Sequence, residues 1–161
     1  MKKTALIILG TLAAVAASAF PATTAAHGDE PDDAAMAIAK ALKNPLVVKG
    51  SARLTIIHVQ KGCHVWSSSG KGTPSAGVKV VLKRGQRLTV LNQDLDTHKL
   101  VRLAGPKVAL GKALSMNDRV TVAFRKPGVY KLRTKKMETP GMPEVETMGA
   151  DNILAMLVVV R

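Results

Sequence analysis

Residues 77–103, "GVKVVLKRGQRLTVLNQDLDTHKLVRL", carry the pattern that decides the fold. Short runs of β-branched and other apolar residues recur along this stretch, and "RGQ" at 84–86 interrupts them with a turn signal. We predict two strands, or one bent strand, as far as Asp94, followed by a further strand over "HKLVRL". Lysines and arginines alternate with the apolar residues, which is typical of a sheet with one face in water.

Similar strand patterns lie on both sides of this stretch. "ARLTIIHVQ" at 52–60 precedes it, and "DRVTVAFRKPGVYKLRTK" at 118–135 contains a Pro-Gly turn between two further strands. "ILAMLVVV" at 153–160 has the length and composition of a closing strand. Several short strands separated by regular turn signals predict an all-β fold, an antiparallel β-sandwich with Greek-key connections.

The N-terminal 26 residues have the features of an export signal. Lys2 and Lys3 precede the apolar run "ALIILGTLAAVAA", and small residues then offer cleavage after Ala19 or after Ala26. The run is too short for a stable membrane anchor, and no later stretch is long and apolar enough. We therefore predict an exported protein, periplasmic or secreted, with no transmembrane anchor in its mature form.

Residues 27–48 differ in composition from the strands that follow them. They begin with an acidic stretch and continue with the alanine-rich run "AAMAIAKALK". Pro31 and the two aspartates after it suit the first turn of a helix, and Asn44-Pro45 suits its end. We predict a short helix or a tether over this segment, and a single domain over residues 49–161.

The chain is strongly basic, with a formal net charge of +13. Cleavage after Ala26 would remove Lys2 and Lys3 and leave +11. Such a charge indicates a solvated sheet face, an acidic protein partner or an anionic envelope surface. Nucleic acid is not indicated, because the two phenylalanines, one tyrosine and one tryptophan cannot form a stacking platform.

The stretch "HVQKGCHVW" at 58–66 contains the only cysteine, the only tryptophan and two of the four histidines. A lone cysteine in an oxidising compartment cannot form a disulfide within its own chain. It is paired between chains, buried and inert, or a metal ligand. The neighbouring histidines are consistent with the third alternative, and a buried strand histidine is the ordinary alternative for each of them.

A second group of soft donor atoms lies in the segment "KKMETPGMPEVETMGADN" at 135–152. It contains Met137, Met142 and Met148, three of the seven methionines of the chain. Methionine usually fills gaps in a core. In a long loop rich in proline and glycine that explanation is weaker, and thioethers are suitable ligands for Cu(I).

Three segments, at 81–101, 124–135 and 148–160, together resemble the cupredoxin, or blue-copper, family. They are "VLKRGQRLTVLNQDLDTHKLV", "FRKPGVYKLRTK" and "MGADNILAMLVVV". The resemblance covers roughly residues 76–160 and implies a Greek-key sandwich that holds copper. It implies that His98 is the first copper-binding histidine and that Met148, or Met142, is the methionine ligand.

The ligand loop departs from the family pattern. The positions equivalent to the family's cysteine and second histidine are Thr134 and Met137. We therefore expect a rewired site for one copper ion, with ligands from Cys63, His64, His98 and Met148. Weaker candidates are His58, Trp66, Met137 and Met142. Cys63 and His64 can share a metal only if Gly62 permits a bulge, because adjacent strand residues point to opposite faces.

The predicted function is that of an exported copper-binding protein, an electron carrier or a copper-handling protein, and not an enzyme. The basic surface would then attract an acidic redox partner. The alternative is a metal-free cupredoxin-like module with an interaction or structural role, which the altered ligand loop favours. A third, weaker reading is an accessory domain of an oxidase or reductase.

Overall fold

The structure is a computed structural model, and it describes residues 31–59, 63–69, 72–137 and 153–161 of the chain. One helix and nine strands lie in these residues. They are α1 Pro31–Ala41, β1 Leu46–Lys49, β2 Ala52–Val59, β3 Cys63–Ser68, β4 Gly77–Leu82, β5 Arg87–Asn92, β6 Thr97–Ala104, β7 Arg119–Ala123, β8 Gly128–Met137 and β9 Ala155–Val160.

The strands form two sheets. One has the order β1-β4-β9-β8-β6 and the other the order β3-β2-β5-β7. The predicted β-sandwich is confirmed, but the prediction that it is purely antiparallel is wrong, because β1–β4, β4–β9 and β2–β5 pair in parallel. Parallel pairing arises here because the chain crosses between sheets before it returns, so spatial neighbours are distant in sequence.

Alternating apolar residues fill the space between the sheets. Val78, Val80 and Leu82 of β4 are buried, as are Leu88 and Val90 of β5. Full burial of each such side chain stabilises the fold by roughly 1.5–3 kcal/mol. Burial in these strands therefore follows the strand period of two residues.

The helix α1 confirms the predicted short N-terminal helix, and its end packs on the sandwich. A Cβ atom at Gly77 would lie 1.9 Å from the carbonyl oxygen of Ala41, so only glycine permits this approach of the helix end to β4. The strand β1 pairs with β4 and already belongs to the sheet, although it lies before residue 49. No helix in the described part of the chain is long and apolar enough to cross a membrane.

The register of the strands places several strand ends together at one end of the sandwich. β2 and β5 run in parallel toward this end, where Ile56 faces Asn92. β3 starts there, since His64 is the partner of His58. β6 begins at the same place, because the His98 amide donates to the Leu114 carbonyl and Asn92 binds that same carbonyl. We call this the histidine end.

Candidate metal centre

Three histidines from three strands meet at the histidine end. His58 and His64 are direct partners across the antiparallel pair β2–β3, so their side chains leave neighbouring positions of one sheet. His98 lies near the start of β6 in the other sheet. The imidazole rings of His64 and His98 approach with centroids 5.0 Å apart in an edge-to-face arrangement, and those of His58 and His64 lie 5.3 Å apart. Residues from both sheets therefore converge on one place.

The loop between β5 and β6 is fixed by Asn92. Its Nδ2 donates to the carbonyl oxygens of Asp96, at 2.8 Å, and Leu114, at 2.9 Å. Its Oδ1 accepts from the backbone amide of Asp94 at 3.0 Å. Asn92 is fully buried, so these bonds are shielded from competing water. The loop consequently holds the side chain of Asp94 against the histidines.

Asp94 joins the three histidines into one group. Its Oδ2 lies 2.7 Å from His98 Nε2 and 3.0 Å from His64 Nε2, and its Oδ1 lies 3.5 Å from His58 Nδ1. The side chains of His64, His98 and Asp94 are each only 1% exposed, whereas that of His58 is 52% exposed. We call these four residues the histidine–aspartate cluster; His64, His98 and Asp94 form its buried interior and His58 forms its rim.

The protonation of the cluster follows from burial and from its own charges. Burial raises the pKa of Asp94, but the hydrogen bond from His98 and the electrostatic interactions with His64 and His98 outweigh it, so the pKa lies below its ordinary value. Burial lowers the pKa of His64, and the attraction of Asp94 offsets this only in part. At neutral pH the cluster therefore contains an ionised carboxylate and a neutral His64.

These protonation states fix which ring nitrogens carry protons. An ionised carboxylate only accepts hydrogen bonds, so the Nε2–H groups of His64 and His98 donate to it. The Nδ1 atoms of both rings are buried and have no hydrogen-bond partner within the described part of the chain. A ring with its single proton on Nε2 has a lone pair on Nδ1. The Nδ1 atom of the neutral His64 ring is thus a buried nitrogen that is available to a metal ion, and His98 Nδ1 is a second buried nitrogen without a hydrogen bond in that part of the chain.

The donor set fits a borderline transition metal. Among the described residues, His58, His64 and Asp94 each offer one donor atom, and these atoms all lie within 4.8 Å of one another. His98 is not a member of this group and contacts it through Asp94 Oδ2, at 2.7 Å from its Nε2. Imidazole nitrogen suits copper, zinc, iron and nickel, whereas Ca²⁺ and Mg²⁺ prefer oxygen ligands alone. A carboxylate that holds the second nitrogen of an imidazole is also the usual partner of a metal-binding histidine.

A partly exposed ion pair borders the cluster. Lys136 Nζ lies 3.2 Å from Asp96 Oδ2, and that oxygen lies 3.5 Å from His64 Nε2. Lys136 is also the strand partner of His98 in the β6–β8 ladder. The acidic loop is therefore tied to β8, and the first three residues of the methionine-rich segment 135–152 belong to this strand, so Met137 lies in a strand and not in the predicted loop.

The structure brings together some of the predicted site residues and leaves others undecided. His64 and His98 lie in one cluster with His58. Cys63 starts β3 opposite Val59, but its side chain lies outside the described residues, as does Gly62. The ligand role of Cys63 stays a prediction.

The structure describes the positions of Met137 and Trp66 but not those of the other predicted methionine ligands. Met137 ends β8 opposite Thr97 and is partly buried, and Met142 and Met148 lie outside the described residues. Trp66 is fully buried in the core, where its Nε1 donates to the carbonyl oxygen of Ala155 at 3.0 Å. The roles of these residues at a metal stay predictions.

Thr134, which the family resemblance equates with a ligand cysteine, has a structural contact in the described part of the chain. Its backbone amide donates to the carbonyl oxygen of Leu154 at 2.9 Å, and its Oγ1 accepts from the Leu154 amide at 3.1 Å. The side chain is 1% exposed. This position therefore joins β8 to the segment before β9.

Asp94 is a site residue that the sequence pattern does not predict. It lies in "NQDLDTH", four positions before His98, where the pattern predicts only the end of a strand. The available signal was a pair of carboxylates at 94 and 96 directly after an apolar strand. What the sequence could not show is that Asn92 turns Asp94 inward.

The folded protein without copper is expected to lose stability as the pH falls below 7. Between the lowered pKa of His64 and its ordinary value of 6.5, the unfolded chain binds more protons than the folded chain. The free energy of unfolding then falls with falling pH by up to about 1.4 kcal/mol per pH unit for this one proton. Asp94 extends the loss below its ordinary value of 3.8, because its folded pKa is lowered too.

Urea denaturation at a series of pH values from 7 to 5 measures this effect. His64→Gln removes the titrating ring and is expected to flatten the profile in that range. An equal slope in the wild-type protein and the variant would contradict the assignment.

The chain is similar to solved structures of cupredoxins. A purple cupredoxin from Nitrosopumilus maritimus is 17% identical, and the match covers 68% of this chain and 99% of that one, with a TM-score of 0.39. An oxidised mutant of amicyanin is 15% identical over 69% of this chain and 82% of that one, with a TM-score of 0.38. No family model and no curated protein matches the chain. A solved structure of a copper-containing nitrite reductase from Thermus scotoductus is also matched, 14% identical over 50% of this chain and 19% of that one, with a TM-score of 0.33.

Proposed function

We propose that this protein is an exported copper-binding protein that holds one copper ion at the histidine–aspartate cluster. One observation carries the proposal: the Nε2 atoms of the buried His64 and His98 lie within 3.0 Å of one oxygen of the buried Asp94. Burying a carboxylate and two imidazoles costs free energy, and a metal site offsets that cost through ligand bonds. An electron carrier or a copper-handling protein would use such a site.

The residues of the cluster have separate roles in this proposal. His64 and His98 supply imidazole ligands from inside the protein, and His58 supplies one at the rim. Asp94 holds the Nε2–H groups, which fixes the orientation of both rings, and its negative charge offsets part of the charge of the ion. Copper is favoured over other divalent ions of the first row because a given set of nitrogen and oxygen ligands binds Cu(II) most tightly. Bound copper supplies one-electron redox chemistry.

Cys63 and Met148 distinguish the two forms of the proposed function. A thiolate from Cys63 and a thioether from the loop would add soft ligands that suit Cu(I), as an electron carrier needs. The imidazole and carboxylate groups alone suit Cu(II) and a copper-handling role. We retain Cys63 and Met148 as proposed ligands on the strength of their sequence context.

The proposed location is periplasmic or secreted. The N-terminal 26 residues support it, because they combine a basic start, a short apolar run and small residues at two cleavage positions. The proposal assigns no catalytic residue.

The visible absorption spectrum after addition of Cu(II) tests the ligand set. If Cys63 ligates copper, the purified mature protein is expected to show an intense thiolate-to-copper band, which Cys63→Ser abolishes and Cys63→Ala abolishes equally. Binding of one Cu(II) without such a band would exclude the thiolate and leave the imidazole site of a copper-handling protein. Absence of stoichiometric Cu(II) binding would overturn the proposal.

The second candidate is a metal-free interaction or structural module. Its support is that Asp94 already accepts hydrogen bonds from His64 and His98, so the cluster has internal partners. In that case Cu(II) should not raise the melting temperature of the protein, whereas a ligand that binds only the folded state must raise it.

A further inference from the structure

Eight of the twenty described lysines and arginines lie at the end of the sandwich opposite the histidine–aspartate cluster. We call this the basic end; its eight members are exposed and come from strand ends and turns. They are Lys49, Arg53, Lys83, Arg84, Arg87, Arg125, Lys126 and Arg161. The strands that separate the two ends are six to eight residues long in β2 and β5, so the ends lie about 20 Å apart.

Backbone hydrogen bonds tie these residues into one surface. The Arg84 amide donates to the carbonyl oxygen of Arg161 at 2.9 Å, and the Gly85 amide donates to that of Phe124 at 3.0 Å. Arg84 Nε also donates to the carbonyl oxygen of Arg125 at 3.0 Å. Residues that are up to 77 positions apart in sequence are therefore held side by side, and their charges add.

Acidic residues lie at the other end. Within residues 42–137 and 153–161, as far as the structure describes them, the acids are Asp94, Asp96 and Asp118. Asp94 and Asp96 belong to the loop at the histidine end, and the Asp118 carbonyl oxygen accepts from the Asn92 amide there. Asp96 and Asp118 pair with lysines. The described cations of the basic end thus face no described carboxylate of the sandwich, and the molecule has an electric polarity along its strands.

A shallow groove on the outer face of the four-stranded sheet belongs to the basic end. It is lined by Arg53, Arg84 and Arg87 together with small or uncharged residues. Those are Ser51, Ala52, Gly85, Gln86, Thr89 and Thr121. The residues that dominate binding in protein interfaces are mostly tryptophan, tyrosine and arginine that fill pockets. The lining of this groove supplies arginines but no aromatic or large apolar side chain. A partner recognised by charge alone fits it better.

We propose that the basic end binds the surface of an anionic phospholipid bilayer. Lipid phosphates form a plane of negative charge that needs no pocket, and several lysines and arginines on one face are attracted to it additively. Arginine suits phosphate because its guanidinium group donates two parallel hydrogen bonds. Bound in this way, the protein lies on the membrane without crossing it, and the histidine end faces away from the bilayer.

Sedimentation with lipid vesicles tests the proposal on the mature protein without copper, so that its outcome does not depend on the metal site. We expect binding to vesicles that contain phosphatidylglycerol and phosphatidylcholine, and little binding to phosphatidylcholine alone. Binding should weaken steeply as salt rises, because exposed charges are screened. The double variant Arg53→Glu, Arg87→Glu should reduce partitioning by about thirtyfold or more.

A matched control separates the contribution of the basic end to vesicle binding from the contribution of the net charge. Lys99→Glu with Lys135→Glu changes the net charge equally, on exposed positions of the β6–β8 ladder. It should reduce partitioning less than the variant of the basic end does. Arg53→Gln with Arg87→Gln, which adds no negative charge, should give partitioning between that of the wild-type protein and that of the Arg53→Glu, Arg87→Glu variant. Circular dichroism checks that each variant is folded.

Three results would overturn the proposal. The first is absence of binding to the anionic vesicles at low salt. The second is an equal loss in the control variant, which would assign binding to net charge alone. The third is binding to polyglutamate that depends on Arg53 and Arg87 without binding to vesicles, which would identify an acidic protein as the partner.

Discussion

Cu(II) affinity is expected to fall by about 100-fold or more in His64→Ala and in His98→Ala. Loss of an outer hydrogen-bond partner of a ligand already costs about 10- to 100-fold in metal affinity, and these substitutions remove a proposed ligand itself. Both side chains are buried, so water cannot easily take the place of the missing imidazole. Competition with a chelator of known affinity, monitored by absorption, measures the change.

His58→Ala is the matched control for these two variants. The side chain of His58 is 52% exposed and lies 3.5 Å from Asp94, so its loss leaves the buried pair of imidazoles in place. We expect a smaller loss of affinity than in either buried variant. A larger effect at His58 than at His64 and His98 would move the site to the surface and contradict the assigned roles.

Asp94→Asn is expected to lower both the stability of the copper-free protein and its affinity for Cu(II). Hydrogen bonds to a charged group contribute about 1.5–3 kcal/mol each, and Asp94 accepts such bonds from His64 and His98. An amide in this position also places donor hydrogens against the Nε2–H groups. We therefore expect a loss of about 2–3 kcal/mol in the free energy of unfolding by urea, and about a 10- to 100-fold loss in Cu(II) affinity.

Asp118→Asn makes the same chemical change at a more exposed carboxylate. Asp118 is 36% exposed and pairs with Lys112, and such surface pairs contribute about 0–1 kcal/mol. The comparison isolates the effect of burial and of the histidines. If both substitutions changed stability and copper affinity equally, Asp94 would have no special role in positioning the rings.

The strand pattern of the sequence predicts much of the fold. The two strands on either side of "RGQ", the Pro-Gly turn and the final strand lie where their periodicity and turn residues indicate, because side-chain alternation reports burial directly. Whether two strands pair in parallel or antiparallel could not be predicted in this way. Parallel pairing of β2 with β5 depends on how the chain crosses between the sheets, and a local pattern carries no information about that.

Some residues of the candidate site could likewise be predicted from the sequence, and others could not. His64 and His98 could be chosen from sequence because of their residue type and context, and the structure places them in one cluster. The sequence makes His58 a weaker candidate, yet its position opposite His64 brings it to the rim of the cluster. Asp94 could not be recognised as the residue that joins them, since this depends on the conformation that Asn92 imposes on the loop.

Pulsed electron paramagnetic resonance of the mature protein loaded with one equivalent of Cu(II) tests the central claim most directly. The method detects the remote nitrogen of each imidazole bound to Cu(II). We predict signals from at least two histidines, of which one is lost in His64→Ala and one in His98→Ala. A spectrum that shows no histidine nitrogen, or that is unchanged in both variants, would contradict a copper site at the histidine–aspartate cluster.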